Sequence, residues 1–187
     1  MRLWRKFYCL SLASVSQNYF KLFDLDQLFC IDLSTLERHY RKIQSAVHPD
    51  RFVTASSAEK LSAMQQATLA NEAYQTLKKP ASRAKYLLSL SQIDATQETN
   101  TAMPMDFLIQ QMAWRETLED CKADKDIAGL DQLATEMRQA AHLLAEELNR
   151  LFDEQNDLSA ATDATRKLIF IDKVCEDINK AITQIED

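Results

Sequence analysis

A single glycine, Gly129, and three prolines in 187 residues constrain this chain more than any motif in it. Sharp reversals lean on glycine, which reaches positive φ, and on proline, which fixes φ and removes a backbone donor. A chain this poor in both has few places to turn tightly or to punctuate a sheet. The expected fold class is all-α, with long helices joined by short polar loops. Hydrophobic residues at 46% and charged residues at 27% supply a globular core and a solvated surface. The length suits one ordinary domain or two small ones.

Charge favours two. Residues 1–99 carry 13 Lys+Arg and 9 Asp+Glu, net +4, whereas residues 100–187 carry 9 and 19, net −10; together these give the overall −6. Such a split points to two units with different electrostatic tasks. Periodicity predicts helices near 17–23, 33–47, 57–78 and 80–91, the last opened by Pro80 in its first turn. The polar, threonine-rich stretch from Gln92 to Met103 reads as a linker. Three longer patterns, near 104–123, 127–155 and 158–186, meet near Gly129 and at Asn156-Asp157 and predict an antiparallel three-helix bundle. The expected organisation is therefore an extension over 1–18, an N-terminal helical unit over 19–91, a linker over 92–103 and a bundle over 104–187. In the extension Arg2, Arg5 and Lys6 precede the run Phe7 to Ala13. That run is too short and too interrupted by serine for a signal peptide or a membrane span. A frayed extension or an over-long start assignment is preferred to a transit peptide.

The helix over 33–47 is amphipathic. Leu36, Tyr40, Ile43 and Val47 share one face, and Arg38, Arg41, Lys42 and Ser45 share the other. Pro49 disfavours the α conformation at His48 and stops the helix. Ser56-Ser57-Ala58-Glu59 is a capping box that starts the next one. Between them His48-Pro49-Asp50 displays an imidazole, a rigid ring and a carboxylate beside a cationic stripe. A general base needs a nucleophile or carboxylate poised in a concave site, and an exposed loop beside a proline offers none. By itself His48 reads as an ordinary loop histidine, and the basic face as solvated charge or a docking face for an acidic protein. The net charge is too modest, and too free of interleaved aromatics, for nucleic acid.

Cys9, Cys30, Cys121 and Cys175 are scattered without a C-x-x-C, so neither metal-ligand spacing nor a disulfide framework is present. Cys121 and Cys175 fall on expected core faces. A di-metal bundle enzyme would need Glu-x-x-His pairs, and His39, His48 and His142 have no glutamate three residues before them.

The bundle carries more apolar surface than its core needs. Phe107, Trp114, Leu118 and Cys121 make one stripe, yet Met105, Leu108, Ile109 and Met112 cluster on the other side of the same helix. In the last helix Ile171, Val174, Cys175, Ile178, Ile182 and Ile185 make a stripe, while Ile169 and Phe170 point away from its centre. Such surplus marks either a contact with the other unit or a partner site.

Several segments taken together resemble a known family. They are Tyr19-Phe20-Lys21-Leu22-Phe23, Val47-His48-Pro49-Asp50-Arg51-Phe52, Asn71-Glu72-Ala73-Tyr74-Gln75-Thr76-Leu77, and Pro80 with Arg83-Ala84-Lys85-Tyr86-Leu87-Leu88; Arg166 to Lys173 completes the set. The chain resembles J-domain co-chaperones and, through the last two stretches, the HscB family of iron–sulfur cluster assembly. This resemblance implies a non-enzymatic co-chaperone, without a cofactor, that delivers the scaffold protein IscU to the DnaK-type chaperone HscA and stimulates its ATPase. His48, Pro49 and Asp50, with Arg38, Arg41 and Lys42, are expected to meet the chaperone. Leu108, Ile109, Met112, Glu116 and Phe170 are expected to meet the scaffold; Ala113 at the rim departs from the family, where a carboxylate is usual. Asn71, Tyr74, Leu77, Arg83 and Tyr86 are expected to be structural. The absence of an N-terminal cysteine-rich module points to a bacterial-type, cytoplasmic member rather than a mitochondrial one. A general J-protein serving unfolded clients is the alternative; the bundle and the lack of a Gly/Phe-rich segment weigh against it.

Overall fold

Helices account for most of the described residues because local signals start and stop them. The computed structural model describes residues 18–96 and 103–186, and no strand occurs among them. In chain order the helices are α1 (Tyr19–Leu22), α2 (Leu33–Ala46), α3 (Ser57–Lys78), α4 (Pro80–Leu90), α5 (Met105–Asp124), α6 (Ile127–Asn149) and α7 (Leu158–Glu186). A 3-10 turn, Pro49–Phe52, separates α2 from α3, and a π-helical turn, Arg150–Gln155, extends α6.

Caps explain most boundaries. Asp32 accepts from the backbone N–H groups of Ser34 and Thr35 at the start of α2. The Thr35 and Ser34 hydroxyls also donate to this carboxylate and hold its pKa at about 2. The cap is therefore intact through neutral pH and fails only as acid approaches that value. Ser56 and Glu59 form the reciprocal box expected at the head of α3. Asp126 caps α6 through the Gly129 N–H at 3.0 Å.

The lone glycine serves a purpose the sequence did not suggest. The reversal between α5 and α6 falls on Lys125, at φ 53°, and that after the π turn on Asn156, also at φ 53°. Gly129 lies inside the first turn of α6. A Cβ there would come within 2.5 Å of Asp126 Oδ2 and 2.6 Å of Cys121 Sγ. Glycine lets the cap and the α5 terminus approach each other; it does not make the bend.

Two apolar clusters form the interior. The first contains Phe20, Phe23, Phe29, Leu36, Leu77, Leu88 and Ala95 from the N-terminal half, but also Leu148, Leu151, Ala161, Ala164 and Leu168. The halves thus share a core. The second, built by Trp114, Leu118, Cys121, Leu130, Leu133, Met137, Ile171, Val174 and Ile178, belongs to the bundle. Burying a side chain such as Leu77 or Ile171 completely contributes roughly 1.5–3 kcal/mol.

Polar contacts reinforce the junction. The π turn places the Asp153 carboxylate against the Phe29 and Cys30 N–H groups, at 2.7 and 2.8 Å, while Phe152 stacks on Phe29 at 5.7 Å. An inserted residue in a helix re-aims the side chains that follow it, and here it brings together positions 124 residues apart. Arg166 Nε donates to the Ala95 carbonyl at 2.8 Å, so the first residues after α4 are tied to α7.

Candidate functional site

The sequence-predicted residues fall on two separate surfaces. At the first, α2 turns Leu36 and Val47 inward with Tyr40 and Ile43 half-buried, and leaves Arg38, Arg41 and Lys42 exposed. Arg41 pairs with Glu37 at 2.5 Å, one helical turn away, and Arg38 donates to the Thr35 hydroxyl at 3.0 Å. Both guanidinium groups remain in water, where such pairs contribute little to stability.

His48-Pro49-Asp50 is more ordered than a plain loop. Pro49 occupies the first position of the 3-10 turn and His48 caps it, its Nδ1 accepting from the Asp50 N–H at 3.3 Å. With Nδ1 so used, the neutral ring carries its proton on Nε2. The Asp50 carboxylate lies 3.5 Å from the same nitrogen, yet its side chain is 87% exposed. Arg51 reaches back to the Ser45 carbonyl at 3.3 Å and ties the turn to the end of α2. The backbone of the turn is thus held by local bonds, and the Asp50 carboxylate stands from it into solvent. The arrangement suits recognition.

The residues expected to be structural behave so. Tyr74 stacks on Tyr40 at 4.1 Å, and the Tyr40 hydroxyl donates to Asn71 at 2.7 Å. Tyr86 stacks on Tyr19 and its hydroxyl accepts from the Tyr19 N–H at 2.9 Å. Arg83 is buried, donates to the Leu77 carbonyl at 2.6 Å near the end of α3, and lies over the Phe29 ring. Burial lowers its pKa.

The second surface is the outer face of α5. Met112 is 72% exposed, Ile109 62% and Leu108 37%, with Met105 beside them at 71%. Ala113 and Glu116 are exposed at the rim. These side chains do not make the contact between the halves. Ile169 does, packing against the shared first cluster. Phe170 corrects the expectation that it points away from the core. It is half-buried against the second cluster, 5.9 Å from Phe107 and 6.3 Å from Trp114 between ring centroids, with the Arg115 guanidinium over its face. Its aromatic ring is long enough to reach the flank where α5 arrives. Sequence reasoning saw neither this cluster nor the bond from Trp114 Nε1 to Glu136 Oε1 at 2.7 Å, because helical spacing reports faces within a helix and not pairs between helices.

Cys121 is buried and Cys175 partly so, and burial raises both thiol pKa values. Cys9 lies outside the described residues. Among the described residues no group of three or more His, Cys, Asp or Glu side chains could hold a metal ion, and no helix is long and apolar enough to cross a membrane.

Comparison with known proteins identifies the family of the chain. The family described as the HSCB C-terminal oligomerisation domain matches residues 103–179. The co-chaperone protein HscB homolog of Paraburkholderia phymatum is 46% identical over 94% of this chain and 100% of its own length. The chain belongs to the HscB co-chaperone family. The fold agrees. Chaperone HscB from Vibrio cholerae superposes with a TM-score of 0.75 at 40% identity, covering 90% of this chain and 99% of that one. The human co-chaperone HscB gives 0.81 at 29% identity, covering 90% and 83%. The all-α expectation is met, and the HscB-like character inferred from the motifs is the right one.

Proposed function

We propose that this HscB-family chain is a two-headed adaptor of iron–sulfur cluster assembly. Its N-terminal J unit engages a DnaK-type chaperone of the HscA kind through His48, Pro49 and Asp50, with Arg38, Arg41 and Lys42 steering the encounter. Leu108, Ile109, Met112, Glu116 and Phe170 carry an IscU-type scaffold. Catalytic groups for ATP hydrolysis belong to the chaperone; this chain supplies an exposed carboxylate and an imidazole on a turn whose backbone is held by local bonds.

The observation that carries the reading is the coexistence, on one chain whose halves share a core cluster, of an exposed anion-bearing turn and an exposed apolar strip on the bundle. Neither surface has a covering element among the described residues. Joining two modest binding events in one body raises the effective concentration of client at the chaperone without any new contact.

The test is chaperone ATPase stimulation by wild type and His48→Gln, with and without the scaffold. Wild type is expected to stimulate, and more strongly with scaffold present, whereas His48→Gln loses stimulation in both conditions while still binding scaffold. Stimulation by unfolded polypeptide in place of the scaffold would instead favour a general J-protein. Equal stimulation by wild type and His48→Gln would remove the turn from the reading.

A further inference from the structure

The apolar strip stands on a narrow base. Among Met105–Ala113 no residue is fully buried: Phe107 and Gln111 are half-buried, Leu108 is 37% exposed, and the first buried residue of α5 is Trp114. The end of α5 that carries Leu108, Ile109 and Met112 is therefore located by a small aromatic cluster and not by a deep core. Phe107 meets Trp114 edge-on at 6.0 Å and Phe170 edge-on at 5.9 Å, and Trp114 lies nearly parallel to Phe170 at 6.3 Å. One directional bond orients the cluster, that from the indole N–H of Trp114 to Glu136 on α6.

We infer that Trp114 is a positioning residue for partner docking on the α5 strip, acting through Phe170 and locked in place by Glu136. This rests on the reading of that strip as the scaffold-docking surface. Stacking alone fixes rings loosely, since aromatic pairs tolerate offset and tilt. The indole N–H removes that freedom, because a buried donor is costly to leave without an acceptor. With Trp114 fixed, Phe170 can present its partly exposed ring in register with Leu108 and Met112. Without the bond the cluster can rotate, and the three anchors no longer share one surface. Docking surfaces lose affinity when their anchors must be ordered on binding.

The experiment titrates the purified full-length chain with an IscU-type scaffold, comparing wild type, Glu136→Ala, Glu136→Gln, Trp114→Phe and a Leu108→Ala/Met112→Ala reference. Thermal unfolding and the Trp114 indole ¹H–¹⁵N resonance are followed in parallel. Glu136 is exposed, so its variants are expected to fold even if Trp114→Phe does not. Glu136→Ala and Trp114→Phe are expected to weaken binding about three- to tenfold, because only part of the lost bond's contribution is passed on to the docking surface. Glu136→Gln, whose amide oxygen still accepts, should stay within about twofold. A shifted indole resonance in Glu136→Ala, but not in Glu136→Gln, supports the positioning role. Normal binding by Glu136→Ala overturns it, as does equal loss in Glu136→Gln and Glu136→Ala. If Leu108→Ala/Met112→Ala also binds normally, the strip itself is not the docking surface and both ideas fall together.

Discussion

The two exposed surfaces use opposite physical chemistry. At the turn after α2 every named group is polar or rigid, and geometry is set by local bonds: His48 to the Asp50 N–H, and Arg51 to the Ser45 carbonyl. On α5 the groups are apolar and flexible, and geometry is imposed from beneath by Phe107, Trp114 and Phe170. Fixed polar groups in water give orientation and steering but little free energy. Bare methionine, leucine and isoleucine give free energy when covered, with less direction. A molecule that must hold one partner while briefly triggering another can divide the work this way.

The strongest test of this contrast acts on the apolar side. Replacing Leu108, Met112 and Phe170 together by alanine is expected to weaken scaffold binding by more than an order of magnitude, since such anchors contribute ~1–3 kcal/mol each. Calorimetric titration checks it; normal binding by a folded triple variant would remove this half of the comparison.

Next in size is the tie between the two regions. Asp153→Ala deprives the Phe29 and Cys30 N–H groups of their acceptor and should cost about 1–2 kcal/mol of stability, read by denaturant unfolding. An unchanged midpoint would mean that the shared apolar core alone holds the halves together.

Reversing charge at Arg41 and Lys42 sharpens the comparison from the polar side. Association with the chaperone should slow several-fold at low salt, with the difference fading near ~0.5 M as the Debye length shrinks. Scaffold binding should show no such salt dependence. Stopped-flow rates at two ionic strengths decide it.

The smallest expected effect concerns α7. Burial raises the Asp172 pKa, offset in part by Lys79 and reinforced by Glu176. A carboxyl whose folded pKa is raised stabilises the fold when protonated and costs stability once pH rises through that value. Asp172→Asn should therefore stabilise the protein at neutral pH by less than about 1 kcal/mol, since the group is partly in contact with water. The gain should vanish in acid, as melting curves at two pH values would show.

Much of this was legible in the residues. The expected helix over 104–123 is Met105–Asp124, and that over 158–186 is Leu158–Glu186. The Ser56 capping box and the stop at Pro49 lie where the motifs put them. These features arise from side chains a few positions apart, so a linear reading finds them. The π turn, the grip of Asp153 on Phe29 and Cys30, and the burial of Ala95 at the head of the expected linker were not visible. Each depends on groups far away along the chain. Phe170 shows the same limit at the candidate site: expected to point away from the core, it packs half-buried against Phe107 and Trp114.

Ile109 and Ile169 mark the division. Both are apolar residues off the main stripe of a helix, and the sequence by itself determined that each would stand outside its helix's own core face. Only the tertiary structure decided that Ile169 would be covered at the junction of the halves and Ile109 left 62% exposed. Helical period and caps are short-range and travel with the chain, whereas burial requires a second surface to arrive from elsewhere in it.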